Sequence, residues 1–137
     1  MATVPSIKDE DAAPDVKRTF DDIRTTRKTD QVNAIWRMLG NYPEELDAVW
    51  TDVKRVMGAP QAEGGLDPLT RELIYIAVSA TNQCGYCVHS HTAAARQKGM
   101  TDRMHKELVQ IVSLAARTNQ IVAMLQVPID PAFDLDR

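Results

Sequence analysis

Residues 71–99 read RELIYIAVSATNQCGYCVHSHTAAARQKG. No proline interrupts this stretch, and its glycines fall at 85 and 99. Leu73, Ile76, Ala77 and Ala80, with Leu69 before them, recur at helical spacing, which predicts a helix from Pro68 to about Asn82. A break from Gln83 to Gly85 leads into a second helix running to Lys98, with Gly99 as its C-terminal stop. Both cysteines of the chain, Cys84 and Cys87, lie in this stretch, as do two of its three histidines, His89 and His91.

The flanks continue the helical pattern. Asp67-Pro68 reads as an N-cap followed by a first-turn proline. The preceding Ala59 to Leu66, with Gly64-Gly65, reads as a loop. Between Pro43 and Gly58, the residues Leu46, Val49, Trp50, Val53, Val56 and Met57 form one apolar face. Val32, Ile35, Trp36 and Leu39 make a shorter stripe that stops at Gly40. Val16, Phe20 and Ile23 place a helix over Asp15 to Lys28. Downstream, Thr101 is an N-cap candidate for Asp102 to Val127, either one bent helix or two. Its apolar positions are Met104, Leu108, Ile111, Val112, Ala115, Val122 and Leu125, and Pro128 ends it. No segment alternates with period two.

The expected architecture is therefore all-α, with six or seven helices in a single domain over residues 1–137. Residues 1–14 are expected to form a flexible N-terminal arm, residues 69–127 the core motif region, and residues 128–137 a C-terminal tail. Several helices are apolar over a wide arc, which predicts burial against another subunit.

Composition narrows the function classes. The chain is 44% hydrophobic and 26% charged, ordinary for a globule and unlike a disordered chain. Its aromatic share of 5% suits helices packed on aliphatic side chains. A net charge of −3 argues against binding to nucleic acid or to anionic membrane. Met1 to Val16 has no apolar stretch of signal-peptide length, and the longest apolar run, Leu73 to Val78, is too short to span a bilayer. The expectation is a cytoplasmic protein, in which two cysteines are seldom a structural staple.

The chemistry follows from spacing. With Cys87 in the first turn of a helix, His91 lies one turn further on the same face. An imidazole there can take the thiol proton, and the helix N-terminus stabilises the thiolate. Cys84, three residues before Cys87, is close enough to form a disulfide with it. A nucleophilic thiolate, a base and a second thiol are what thiol peroxidase or disulfide-exchange chemistry requires. Glu72 shares a mostly apolar stripe with Tyr75, Ile76, Ser79 and Gln83, where a carboxylate is out of place unless partnered. An antiparallel return of the chain through Gln83 to Gly85 brings Glu72 against His91. That completes a Glu–His–Cys proton relay.

Glu72, Cys84, Cys87 and His91 at these spacings, followed by Ala93-Ala94-Ala95 and Gly99, resemble the alkylhydroperoxidase D-like family of the carboxymuconolactone decarboxylase superfamily. The resemblance covers about Leu69 to Val127. It implies an all-helical bundle and a homo-oligomer, commonly a trimer or hexamer. It implies a peroxidase that reduces organic hydroperoxides with no metal, haem or other cofactor. Cys87 would be the peroxidatic thiol, Cys84 the resolving thiol, and Glu72 with His91 the relay. The implied electron donor is a dithiol, either a lipoylated protein or a thioredoxin-like one. One departure stands: the best-studied members carry a histidine between the two cysteines, where this chain has Tyr86. His89, two residues past Cys87, points to a different face.

Other readings compete. Cys84, Cys87, His89 and His91 are zinc-type ligands, but His89 and His91 diverge on a helix. The thiol pair also suits a redox sensor or disulfide-exchange protein with little turnover. The decarboxylase branch of the superfamily does not use a C-x-x-C pair. His105 reads as solvated surface, Tyr75 and Tyr86 as packing residues, and Trp36 and Trp50 as core or interface anchors.

Overall fold

Three prolines set where helices begin. In the computed structural model, which describes residues 1–133, Pro14, Pro43 and Pro68 each open a helix at a position where no intrahelical N–H is needed. The helices are α1 (Pro14–Arg27), α2 (Ala34–Leu39), α3 (Pro43–Met57), α4 (Pro68–Thr81), α5 (Gly85–Gln97) and α6 (Asp102–Leu125). Short 3-10 turns lie at Asp9–Asp11 and Pro131–Phe133, and no strand occurs among the described residues. The expected tail, 128–137, lies outside the described residues from position 134 on. The chain divides into two compact units, one over Met1–Pro60 and the other from Gln61 onward.

The first unit is built on the apolar stripes of α1, α2 and α3. Val16, Phe20 and Ile23 of α1 pack with Val32, with Trp36 of α2, and with Leu46 and Trp50 of α3. The two indoles meet edge to face, with centroids 5.3 Å apart. Trp50 donates its indole N–H to Asp22 Oδ2 at 2.7 Å, and Lys54 reaches the same oxygen at 2.6 Å. The N-terminal segment lies along this unit. Ile7 N–H donates to the Arg37 carbonyl at 3.1 Å, and Asp9 pairs with Arg24 at 2.7 Å.

The second unit is centred on an antiparallel hairpin of α4 and α5, with α6 against it. Asp67 caps α4, its side chain accepting the Thr70 N–H at 3.0 Å. The turn between the helices is compact. Gln83 adopts a left-handed conformation, its N–H donates to Ala80 O, and the Cys84 N–H donates to Ser79 O. These two bonds form a Schellman motif, so Cys84 ends the turn of α4 while serving as N-cap of α5. The same motif closes α5: Gly99, at φ +100°, donates to Arg96 O, and Met100 N–H donates to Ala95 O. Met100 thereby enters the core of this unit with Ile76 and Ala95, where Leu69, Leu73, Met104 and Leu108 cover them.

Two details differ from the periodicity. The buried face of α4 is Glu72, Ile76 and Ser79, while Ala80, expected inside, is exposed. The stripe that buries Glu72 rotates Ala80 outward by one position. The stretch after Thr101 is a single helix, and it buries no residue fully. Met104 and Leu108 pack inward, whereas Ile111, Leu114, Val122 and Leu125 are exposed. By length and composition α6 is long and apolar enough to cross a membrane. Arg117 near its middle opposes that, because a charge there is costly in hydrocarbon.

A side chain at Gly99 would meet nothing within 4 Å, so any cost of Gly99→Ala is conformational. At a positive φ that cost is about 1–2 kcal/mol. Thermal unfolding should show Gly99→Ala melting several degrees below wild type, and an unchanged midpoint would contradict the strained-turn assignment.

Candidate active site

The antiparallel hairpin sets the start of α4 against the end of α5. Glu72, one turn into α4, is 3% exposed and would be costly there without partners. It has two. His91 Nδ1 lies 2.6 Å from Oε2, and Lys98 Nζ donates to Oε1. An ionised carboxylate only accepts, so Nδ1 carries the proton and Nε2 is the ring nitrogen left for a second partner. Burial opposes the charge on Glu72, but the hydrogen bonds from His91 and Lys98 outweigh it and hold the carboxyl below its ordinary range. Tyr75, one turn on from Glu72, stacks on the imidazole with centroids 3.7 Å apart and planes 21° apart. That contact fixes the plane of the ring.

The thiols lie at the other end of α5. Cys84, as N-cap, accepts the Cys87 N–H on its sulfur at 3.4 Å. Both thiols are free and partly exposed. The two thiols shift in opposite directions. The Cys87 thiol, by hydrogen bonding to Cys84, lowers the Cys84 pKa, and the Cys87 backbone N–H adds to this. Cys87 is pushed up to about 11, first by that hydrogen bond to Cys84, then by burial and the Cys84 charge. Of the reduced pair, Cys84, at the positive end of the α5 dipole, is the thiol that ionises first, and Cys87 is the one that holds its proton longer. Tyr75 links the two ends of the site. Its phenol is raised by burial and then by the charges of Cys87, Cys84 and Glu72.

Of the residues expected from sequence, the structure brings Glu72 onto His91 and Cys84 onto Cys87. No direct hydrogen bond joins His91 to Cys87, which sits one turn earlier on the same helix. His89 turns away, its Nδ1 2.8 Å from the Gly85 carbonyl. Among the described residues no three His, Cys, Asp or Glu side chains gather as a metal-ligand set. Two neighbours of the site had no place in the relay read from sequence. Tyr75 reads by default as packing, and Lys98 only as the end of its helix. The signal for Lys98 was its place two turns after His91, on the same face of α5. A shallow cleft in the first unit, about 430 Å³, is lined by Asp15, Arg18, Asp22, Glu44, Asp47 and Lys54. It contains no thiol, and its Asp22 is committed to Trp50 and Lys54.

The carboxymuconolactone decarboxylase family pattern matches residues 44–130. An alkyl hydroperoxide reductase AhpD of Solibacter usitatus is 37% identical over 70 residues, 51% of this chain and 38% of that protein. The protein of the same name from Maricaulis maris is 42% identical over 64 residues, 47% of this chain and 35% of that one. The chain thus spans well under half the length of these curated relatives. A crystal structure described as an alkylhydroperoxidase AhpD core from Rhodospirillum rubrum is 54% identical and superposes with a TM-score of 0.93. It covers 99% of both chains.

The thiol arrangement predicts a split titration. Followed by ultraviolet thiolate absorbance, one thiol should ionise below the ordinary cysteine value and the other near 11. In Cys84→Ser, Cys87 loses the two causes that Cys84 supplies and should titrate below 11. Two thiols ionising together at the ordinary value would contradict the split.

Proposed function

Because the chain belongs to the carboxymuconolactone decarboxylase family and is alkylhydroperoxidase D-like within it, we propose that it is a thiol-dependent peroxidase acting on organic hydroperoxides. The observation that carries this reading is the buried Glu72–His91 contact, one helical turn from a C-x-x-C pair whose two thiols are shifted in opposite directions. Family relatives are named for alkyl hydroperoxide reduction, and the paired thiols favour redox chemistry over the decarboxylation in the family's name.

In the cycle, Cys87 is the peroxidatic thiol. A thiol held near 11 does not ionise unaided at neutral pH, so it needs a base. His91, oriented by Glu72, accepts its proton at Nε2, with an oxygen of the bound hydroperoxide bridging the gap. The Cys87 sulfur attacks the terminal peroxide oxygen, and the O–O bond breaks. The leaving alkoxide takes the proton from His91 and departs as the alcohol. Cys87 is now a sulfenic acid. The Cys84 thiolate attacks its sulfur, the S–O bond breaks, and the hydroxyl leaves as water with a proton from solvent. The Cys84–Cys87 disulfide is returned to two thiols by a dithiol donor, lipoylated or thioredoxin-like, which is itself oxidised to a disulfide. No metal or organic cofactor enters the cycle. The exposed apolar residues of α6, among them Ile111, Leu114 and Leu125, are proposed to be covered in a homo-oligomer, a trimer or hexamer. The proposed setting is the cytoplasm, with neither nucleic acid nor membrane as partner.

A second reading is favoured by one observation. Cys84 is the more readily ionised thiol, as an attacking thiol for disulfide exchange with a partner requires. A redox-sensing or exchange protein would form its disulfide once and turn over little.

Reduced protein treated with one equivalent of cumene hydroperoxide, alkylated and weighed, should lose both alkylatable thiols. Cys87→Ser should keep Cys84 free and reduce no peroxide. Glu72→Gln and His91→Ala should each slow disulfide formation by about 10²-fold. Survival of both thiols in wild type, or full activity in Cys87→Ser, would reject the peroxidase assignment. Rapid disulfide formation without turnover, when a dithiol is supplied, would select the second reading.

A further inference from the structure

The relay as proposed contains a difficulty. A lone carboxylate against an imidazole favours the imidazolium, and an imidazolium has no lone pair with which to accept a thiol proton. Burial of Glu72 sharpens this, because its charge demands compensation. The structure holds a second source of compensation, since Lys98 occupies the other oxygen of the same carboxylate.

We propose that Lys98 is a positioning residue of the thiol site: its ammonium neutralises Glu72 and so leaves His91 neutral, with Nε2 able to accept the Cys87 proton. The proposal rests on the relay reading above. With Lys98 in place, the Glu72–Lys98 pair is balanced and His91 need only donate a neutral Nδ1–H. Once His91 has taken the thiol proton, the imidazolium shares a buried carboxylate with an ammonium. It then passes its proton readily to the departing alkoxide.

Geometry supports a dedicated role. Lys98 is the C-cap residue of α5, directly before the positive-φ Gly99, so the Schellman turn fixes where its side chain leaves the helix. Its side chain is 36% exposed, yet it reaches inward to a carboxylate that is almost wholly buried. The other basic group at this helix end, Arg96, is committed elsewhere: it pairs with Asp102 at 2.8 Å and donates to the Met100 carbonyl. Other titratable groups lie on the helices that carry the site or pack against it. From α4 come Arg71, Glu72 and Tyr75, the last stacked on the ring. From α5 come Cys87 and His89, the latter bound to Gly85. From the start of α6 come half-buried His105 and exposed Lys106, while Arg103 and Glu107 pair with each other.

The test is an NMR titration of the His91 ring, assigned by comparison with His91→Ala, in wild type, Lys98→Met and Lys98→Arg. Lys98→Met should raise the His91 pKa by about one unit, and Lys98→Arg, which keeps the charge, should stay close to wild type. The pH profile of disulfide formation with cumene hydroperoxide should move upward in Lys98→Met by the same amount. A His91 pKa equal in wild type and Lys98→Met overturns the proposal whatever the peroxidase result. A His91 pKa that rises while thiol oxidation follows the same pH profile in both proteins upholds the coupling of Lys98 to His91. That second result instead rejects His91 as the relay base.

Discussion

A carboxylate buried between two helices is the constraint around which the second unit is arranged. Glu72 must remain charged and partnered, since an unpaired buried carboxylate costs several kcal/mol. Both partners, His91 and Lys98, come from α5, so satisfying Glu72 fixes the antiparallel pairing of the hairpin and the rotation of each helix. The folded carboxyl has a lowered pKa. Its contribution to stability is therefore present above the unfolded carboxyl value and is lost as the pH falls through the lower, folded one. The interaction that registers the helices is also the one that orients the imidazole, so stability and chemistry depend on the same carboxylate.

The thiols depend on a second economy of structure, the turn that joins the helices. Cys84 is the last residue of one Schellman motif and the first cap of the next helix. That double role points its sulfur at the Cys87 N–H and at the positive end of α5, which adds to the lowering of its pKa by the Cys87 thiol. Cys87, three residues into α5, gains from the same dipole but has Cys84 beside it, and the hydrogen bond to Cys84, then burial and the Cys84 charge, raise its pKa. The pair is thus asymmetric before any substrate arrives. The thiol that holds its proton more firmly, Cys87, is the one with the greater need of a base.

Much of this was legible in the residues. Pro43, Pro68, Asp67, Thr101 and Gly99 mark helix ends by chemistry that is local to the backbone, and each acts where expected. Glu72 stood out because a carboxylate interrupts an apolar stripe, and its contact with His91 follows from the only short return the chain can make. Other features needed the fold. Periodicity alone cannot choose which arc of α4 faces inward, and Ala80 was exposed because Glu72, Ile76 and Ser79 took the buried arc. A lysine at a helix end and a tyrosine in the middle of a helix carry no pattern that separates solvent from site, so the roles of Lys98 and Tyr75 emerged only from their contacts. The apolar positions of α6 read correctly as helix. What covers them is a property of an assembly rather than of one chain.

The central claim is that Glu72 acts on the thiols through His91 and not independently of it. A double-mutant cycle on the rate of peroxide-driven disulfide formation tests this most directly, with Glu72→Gln, His91→Ala and the pair measured at one pH. The account predicts strong coupling, with the double variant no slower than His91→Ala alone. Losses that multiply in the double variant would show two independent contributions and contradict the relay.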